Sequence, residues 1–180
     1  MRRKPVNTKW RSPSKGQIEM EQIPTLILEY YEKMKMYDSP IEITIGTDSQ
    51  NFSYTKEVNV IAVTCERHGG IFFYKIRSRD RINDVSVKLH TETQDSLELA
   101  DFLVDAFTSD SKYEELFCKV HFAIHIDAGY SEKGKTHDLI AELVGWVKAM
   151  GFDAVVKPKD DDLTAPYPST SSCIADRLSK

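Results

Sequence analysis

The chain has 180 residues, of which 41% are hydrophobic and 29% are charged, and its formal net charge is −4. This length predicts a single domain with a substantial core, and this composition is typical of a soluble globular protein. No stretch reaches the roughly 18 consecutive apolar residues that a membrane span requires. The sequence therefore predicts no membrane partner.

The three cysteines, Cys65, Cys118 and Cys173, are odd in number and lie far apart in the sequence. They lack CxxC spacing, so neither a disulfide framework nor a zinc site is indicated. The N-terminus has no apolar segment of the kind that forms a signal peptide. We therefore expect a cytoplasmic protein.

The charge is unevenly distributed. Residues 1–16 contain six Lys or Arg side chains and no acid, so they carry +6 and the remainder carries −10. We predict a basic N-terminal arm over residues 1–16 and a single domain over residues 17–180. The arm could contact nucleic acid phosphates, or it could be a solvated tail.

The first elements in chain order are a turn, a helix and a strand. Ser12-Pro13-Ser14-Lys15-Gly16 has the composition of a turn. Apolar residues at three- and four-residue spacing predict a helix over residues 18–36, with its regular part beginning near Pro24. Residues 41–45 are rich in β-branched side chains and predict a strand, which is followed by Gly46 and a polar run.

The rest of the chain alternates between strands and helices. Residues 58–65 and 71–76 predict two strands that form a hairpin. A helix over residues 89–108 and a strand over residues 119–127 follow. The pattern ends with a helix up to Met150, a short strand over residues 153–156 and a last helix from about residue 169. This order predicts an α/β fold, in which a five-stranded mixed sheet has helices on both faces.

Two acidic residues follow strands in the same way. Asp48 comes just after the first predicted strand, and Asp127 ends the fourth. If these strands are parallel neighbours, their backbones lie about 4.8 Å apart and the two carboxylates share one site. Carboxylates that close repel each other unless a cation lies between them. His125 shares a strand face with Asp127 and is interpreted as a core histidine in preference to a residue that orients a ligand.

The helix over residues 89–108 gives a third candidate. At 100° per residue, Glu92 falls on the apolar side with Leu99, Ala100 and Leu103. The opposite side holds the acidic residues Asp95, Glu98, Asp101 and Asp105. An inward carboxylate is costly unless it is paired or bound to a metal, although Glu92 could also be a first-turn acid that reaches solvent. Asp176, in the last helix, is an ambiguous candidate, because a surface ion pair with a neighbouring Arg or Lys explains this acid as well as a functional site does.

Several segments together resemble one family. They are Ser12-Pro13-Ser14-Lys15-Gly16, Ile45-Gly46-Thr47-Asp48-Ser49-Gln50, His125-Ile126-Asp127, Lys157-Pro158 and Ala175-Asp176-Arg177. They are similar to the signature of the YkuK-type family of bacterial and phage proteins, within the ribonuclease H-like superfamily. The resemblance implies a ribonuclease H-like fold from about residue 12 to the end, with Asp48, Glu92, Asp127 and Asp176 as its acidic residues. The chain departs from the pattern between residues 157 and 169, where the loop is longer.

The function expected from this resemblance is divalent-metal-dependent hydrolysis of phosphodiester bonds in RNA, an RNA/DNA hybrid or DNA. The four acids would hold two Mg²⁺ or Mn²⁺ ions, which prefer oxygen ligands. The alternative on the same fold is an inactive nucleic-acid-binding or scaffold module. An actin-like ATPase shares the element order but needs two such domains, and 180 residues hold only one.

Overall fold

The computed structural model describes residues 9–128, 135–156 and 170–179. The strands are β1 (Trp10–Ser12), β2 (Gly16–Ile18), β3 (Ile41–Asn51), β4 (Thr55–Cys65), β5 (Gly69–Arg79), β6 (Val120–Ile126) and β7 (Asp153–Val156). The α-helices are α1 (Ile23–Met34), α2 (Val85–Thr108), α3 (Glu114–Lys119), α4 (Lys135–Ala149) and α5 (Thr170–Ser179). The helix predicted to begin near Pro24 is α1, which has this proline in its first turn.

The strands form one mixed sheet in the order β2-β1-β5-β4-β3-β6-β7. β3, β4 and β5 are antiparallel neighbours, whereas β3, β6 and β7 run parallel to one another. The predicted α/β architecture is therefore confirmed. The predicted number of five strands is wrong, because the described residues already form a sheet of seven.

The two additional strands flank the turn predicted at residues 12–16, and Ile18, which was predicted to begin the first helix, belongs to β2. β1 and β2 pair as a hairpin around Pro13 to Lys15, and Gly16 has the positive φ of 75° that favours glycine. Each strand has only three residues, too few for an alternating pattern to be recognised. Burial of Trp10 and Ile18 in the core holds the hairpin on the sheet. Residues 1–8, which include much of the predicted basic arm, lie outside the described residues.

Side-chain alternation along β3 gives the sheet its two faces. Ile41, Ile43 and Ile45 are buried in the large core that α1 and α2 share. The opposite face forms a smaller core, in which Val58, Val60 and Ala62 of β4 pack with Ala175 of α5. Helices therefore cover both faces, as predicted. Of the helices in the described ranges, none has both the length and the apolar character needed to cross a membrane.

The long helix α2 begins four residues before its predicted start. Asp84 caps it by accepting a 3.0 Å hydrogen bond from the backbone nitrogen of Val87. Val85 lies on the apolar side of the helical wheel, but both it and Val87 are exposed, so this first turn does not pack in the core. The predicted inward face is correct for Glu92, Leu99 and Leu103, which are all buried.

Candidate active site

The register of two parallel strands brings together the acids that follow the same sequence pattern. β3 and β6 pair from Ile41 opposite Val120 to Gly46 opposite His125. Continuing this register by two residues places Asp48 opposite Asp127. The prediction that these two strands are parallel neighbours is confirmed. Because of this pairing, their two acids lie at the same level along the strands.

Asp48 differs from its prediction in one respect. It lies within β3 instead of after it, because β3 continues to Asn51 and Asp48 pairs there with Val58 of β4. The polar run after Gly46 suggested a loop, but the antiparallel pairing with β4 keeps it extended. β6, in contrast, ends at Ile126. In the described part of the chain, the edge of β3 from Asp48 onward therefore has no strand on the β6 side, and the candidate site opens at this step.

Glu92 reaches this region from α2. Only 5% of the residue is exposed, and Ser49 Oγ donates a 2.6 Å hydrogen bond to its Oε1 atom. Lys88 Nζ lies 3.7 Å from the same oxygen. Burial raises the pKa of Glu92 to about 8. The hydrogen bond from Ser49 and the charge of Lys88 lower this pKa, and the charges of Asp48 and Asp127 raise it by smaller amounts. The structure thus brings Asp48, Glu92 and Asp127 within electrostatic range of one another.

Adjacent residues of β3 contact different helices. Successive side chains in a strand point to opposite faces, so Ser49 meets α2 while Asp48 faces α5. Ser179 Oγ of α5 donates a 2.6 Å hydrogen bond to Asp48 Oδ2. The sequence did not indicate Ser49 or Ser179, although the alternation next to Asp48 could have drawn attention to Ser49.

Asp176 lies in α5, three residues before Ser179 and therefore within one helical turn of it. Its side chain lies outside the described residues. The contact between Ser179 and Asp48 brings this part of α5 to the candidate site. Residues 157–169, where the chain departs from the family pattern, also lie outside the described residues.

His125 is a buried residue of β6, with 5% of its surface exposed. Burial lowers its pKa to about 3, because the charged imidazolium would lose its hydration. The ring is therefore neutral near pH 7. This state agrees with the interpretation of His125 as a core histidine.

A buried ion-pair cluster, which the sequence did not predict, lies on the same sheet face as Ser49. Glu57 of β4 is only 1% exposed and is paired with Arg77 and Arg79 of β5. Both arginines also pair with Asp95 of α2. Burial and the charge of Asp95 raise the pKa of Glu57 to about 7, whereas the arginines lower it. The helical wheel places Asp95 opposite the apolar side of α2, yet its side chain is only 11% exposed, because the two arginines of β5 lie against it.

Hydrogen bonds join this cluster to the region of Glu92. Asn59 Nδ2 donates to Glu57 Oε1 at 3.3 Å and to Thr47 Oγ1 at 3.0 Å. Ser96 Oγ donates to Thr47 Oγ1 at 2.9 Å and lies 3.0 Å from the carbonyl oxygen of Glu92. A connected set of polar side chains therefore lies between α2 and the sheet.

The acids of the candidate site have the chemistry of divalent-metal ligands. Asp48, Glu92 and Asp127 offer only carboxylate oxygens, the ligands that Mg²⁺ and Mn²⁺ prefer. In the described residues, no three His, Cys, Asp or Glu side chains are grouped closely enough to hold an ion. The carboxylates of Asp48 and Glu92 instead accept hydrogen bonds from Ser179 and Ser49. The residues fit these metals in chemistry, and binding would require the carboxylates to move closer together.

The sequence is similar to that of known proteins. The family model described as "Ribonuclease H-like" matches residues 22–180, which include all four candidate acids. The protein named "Uncharacterized protein YkuK" of Bacillus subtilis (strain 168) is 32% identical over 130 residues. This alignment covers 68% of the present chain and 73% of YkuK. No solved structure matches the chain significantly.

Proposed function

Because the chain belongs to the ribonuclease H-like family, we propose that it is a divalent-metal-dependent nuclease that hydrolyses phosphodiester bonds of a nucleic acid. Family membership indicates a function related to nucleic acid. The observation that carries the finer proposal is the convergence of Asp48, Asp127 and Glu92 where β6 ends beside β3. The substrate class comprises RNA, RNA/DNA hybrids and DNA.

Asp48, Glu92, Asp127 and Asp176 would hold the two Mg²⁺ or Mn²⁺ ions. When bound, such an ion pair supplies an activated water and stabilises the leaving oxygen. The protein positions the carboxylates from both faces of the sheet, since Ser179 holds Asp48 and Ser49 holds Glu92. The buried Glu92 carboxyl can retain a proton at neutral pH until a cation favours its charged form.

The second candidate function is a catalytically inactive nucleic-acid-binding or scaffold module. A specific observation favours it, namely that the carboxylates of Asp48 and Glu92 are already hydrogen-bonded by Ser179 and Ser49. A module of this kind would need no metal at these residues. Metal-dependent cleavage distinguishes the two functions.

The experiment is a cleavage assay with labelled RNA, DNA and RNA/DNA hybrid in Mg²⁺ or Mn²⁺. Asp48→Asn and Asp127→Asn should each abolish cleavage, because each removes a carboxylate from the convergent set. Asp101→Asn is the matched control, because Asp101 is exposed on α2. Wild-type rates in both site variants, with intact circular dichroism spectra, would reject the nuclease proposal. Nucleic acid binding without any cleavage by the wild-type protein would favour the inactive module.

A further inference from the structure

The turn between β3 and β4 carries two aromatic side chains. Phe52 is 41% exposed, and Tyr54 is half-buried. Neither ring packs in the large core or the smaller core of the described residues. Their ring centroids lie 5.8 Å apart, with an angle of 34° between the ring planes. Packing of the protein interior therefore does not account for this aromatic pair.

Hydrogen bonds fix the backbone of this turn. Asn51 Nδ2 donates to the carbonyl oxygen of Ile82 at 2.7 Å, and the backbone nitrogen of Ile82 donates to Thr55 Oγ1 at 2.9 Å. Thr55 Oγ1 in turn donates to Asn51 Oδ1 at 2.7 Å. Arg81 Nη1 donates to the carbonyl oxygen of Phe52 at 3.0 Å. The turn therefore presents its rings from an ordered backbone, which reduces the entropy lost when a ligand binds to them.

The turn lies at the same end of the sheet as the candidate acids. Asp48 is in β3, and Phe52 follows the last residue of that strand. At about 3.3 Å per residue, the backbone of Phe52 lies about 13 Å beyond that of Asp48. In the ranges that the structure describes, the edge of β3 between them has no strand on the β6 side. A nucleic acid strand at Asp48 can therefore extend along this edge to the rings.

The rings, and not the local charge, indicate the chemistry of the partner. Arg81 is exposed, but Asp80 and Asp84 are also exposed and lie close to it in the sequence, so the charges of these side chains largely offset one another. Aromatic side chains stack on the face of an unpaired base of any type, and an arginine beside them adds to the contact. A base within a duplex has both faces covered by its neighbours. An exposed aromatic pair therefore fits an unpaired strand better than a duplex.

We propose that Phe52 and Tyr54 form a stacking platform for an unpaired segment of RNA or DNA. Phe52, the more exposed ring, stacks on a base, and Tyr54 lies against Phe52 within the turn. This inference rests on the proposed function and narrows its substrate class, because it requires a nucleic acid that is single-stranded beside the candidate acids.

The test measures binding separately from cleavage, by fluorescence anisotropy with labelled oligonucleotides in the presence of a metal chelator. The probes are single-stranded RNA and DNA, a DNA duplex, and an abasic DNA strand that has the same length and charge as the single-stranded DNA. The wild type should bind the normal DNA strand at least about fivefold more tightly than the abasic strand, because a stacked base contributes at least this much to affinity.

Variants of Phe52 identify the contact. Phe52→Ala should weaken the binding of the normal single strands at least about fivefold and leave the binding of the abasic strand and the duplex unchanged. Phe52→Tyr should retain the affinity because the ring remains, whereas Phe52→Leu should lose it. Tyr37→Ala is the matched control and should bind as the wild type does. Tyr37 is 46% exposed and stacks on His68, but it precedes β3 and so lies at the opposite end of the sheet.

Three results would overturn the platform. They are equal affinity of the wild type for normal and abasic strands, equal losses in Phe52→Ala and Tyr37→Ala, and full affinity in Phe52→Leu. The last result would identify an apolar contact of the kind that a protein partner makes. Cleavage tests the proposed function separately. If Asp48→Asn cleaves as the wild type does while Phe52→Ala loses strand binding, the nuclease proposal fails and the platform stands. If Asp48→Asn abolishes cleavage while Phe52→Ala binds normally, the platform alone fails.

Discussion

Ser179 donates a 2.6 Å hydrogen bond to the carboxylate of Asp48, and this bond joins α5 to β3, an interior strand of the sheet. Ser179 is 2% exposed, so water would not readily replace its hydroxyl group as the hydrogen-bond donor to Asp48 if the serine were removed. The bond therefore serves two purposes, because it orients a candidate ligand and contributes to the docking of α5.

We expect Ser179→Ala to lower the free energy of unfolding by about 1.5–3 kcal/mol, the range for a hydrogen bond to a charged group. Urea denaturation of the wild type and the variant measures this difference. Ser53→Ala is the control, because Ser53 is exposed in the turn between β3 and β4 and should change stability by less than about 0.5 kcal/mol. Equal losses in the two variants would contradict the role of the Asp48 contact.

Glu92 and Glu98 of α2 provide a matched comparison for metal binding. Glu92 is buried beside the other two acids, whereas Glu98 is exposed about 240° around the helix. Glu92→Gln should therefore weaken Mn²⁺ binding in calorimetric titrations, and Glu98→Gln should leave it unchanged. If Glu98→Gln is the variant that loses metal, the assignment of Glu92 as a ligand is wrong. If neither loses metal, Glu92 is a buried acid without a metal-binding role.

The raised pKa of Glu92 predicts how stability depends on pH in the absence of metal. The pKa is about 8 in the folded protein, against an ordinary value of 4.5. Between these values the folded state holds a proton that the unfolded state has lost, so raising the pH favours unfolding by up to about 1.4 kcal/mol per unit. Glu92→Gln removes this contribution.

The measurement is the free energy of unfolding at pH 5 and pH 8, with a metal chelator present. The free energy of unfolding of Glu92→Gln should rise relative to that of the wild type as the pH increases. The difference between the two proteins should therefore be more favourable to the variant at pH 8 than at pH 5. Glu98→Gln is again the control, and its difference from the wild type should be nearly the same at both pH values. A constant difference for Glu92→Gln would mean that this carboxyl is charged throughout the range.

The basic N-terminus is proposed to contact nucleic acid phosphates. Deleting residues 1–8 removes Arg2, Arg3 and Lys4 and leaves β1, which begins at Trp10, intact. If each of these side chains contacts one phosphate, the slope of log affinity against log salt should fall by up to about 2–3. Fluorescence anisotropy with labelled RNA and DNA at several salt concentrations measures this slope.

The control is Lys112→Gln, which replaces an exposed lysine on the body of the protein and should leave the slope unchanged. An unchanged slope after the deletion would identify residues 1–8 as a tail without phosphate contacts.

The central part of the fold was predictable because its elements have strong local patterns. The β-branched residues of β3 and the apolar spacing of α2 each extend over enough residues to indicate element type. β1 and β2 have no such pattern, and the burial of Trp10 and Ile18 that holds them depends on contacts with distant residues. Local sequence therefore indicated the turn between them but not the strands.

The candidate site was predictable to a similar degree. Asp48 and Asp127 were indicated by their positions near strand ends, and Glu92 by the phase of its helix. Ser49, Ser179 and the pairing of Asp95 with two arginines were not, because each depends on how a helix docks on the sheet. A helical wheel gives the direction of Asp95 but not the presence of Arg77 and Arg79 beneath it.

The short hairpin of β1 and β2 has a consequence for self-association. Without it, the eleven-residue β5 would be the outermost strand on that side of the sheet. Unpaired backbone groups along a strand of that length can recruit a strand from another molecule, which is a common beginning of aggregation. With the hairpin in place, β1 pairs with β5 at Arg11 opposite Tyr74 and so interrupts this edge at its middle, and β2 outside it has only three residues. Removing residues 1–18 should therefore make the protein prone to intermolecular β-pairing, even though every candidate acid would remain in the chain.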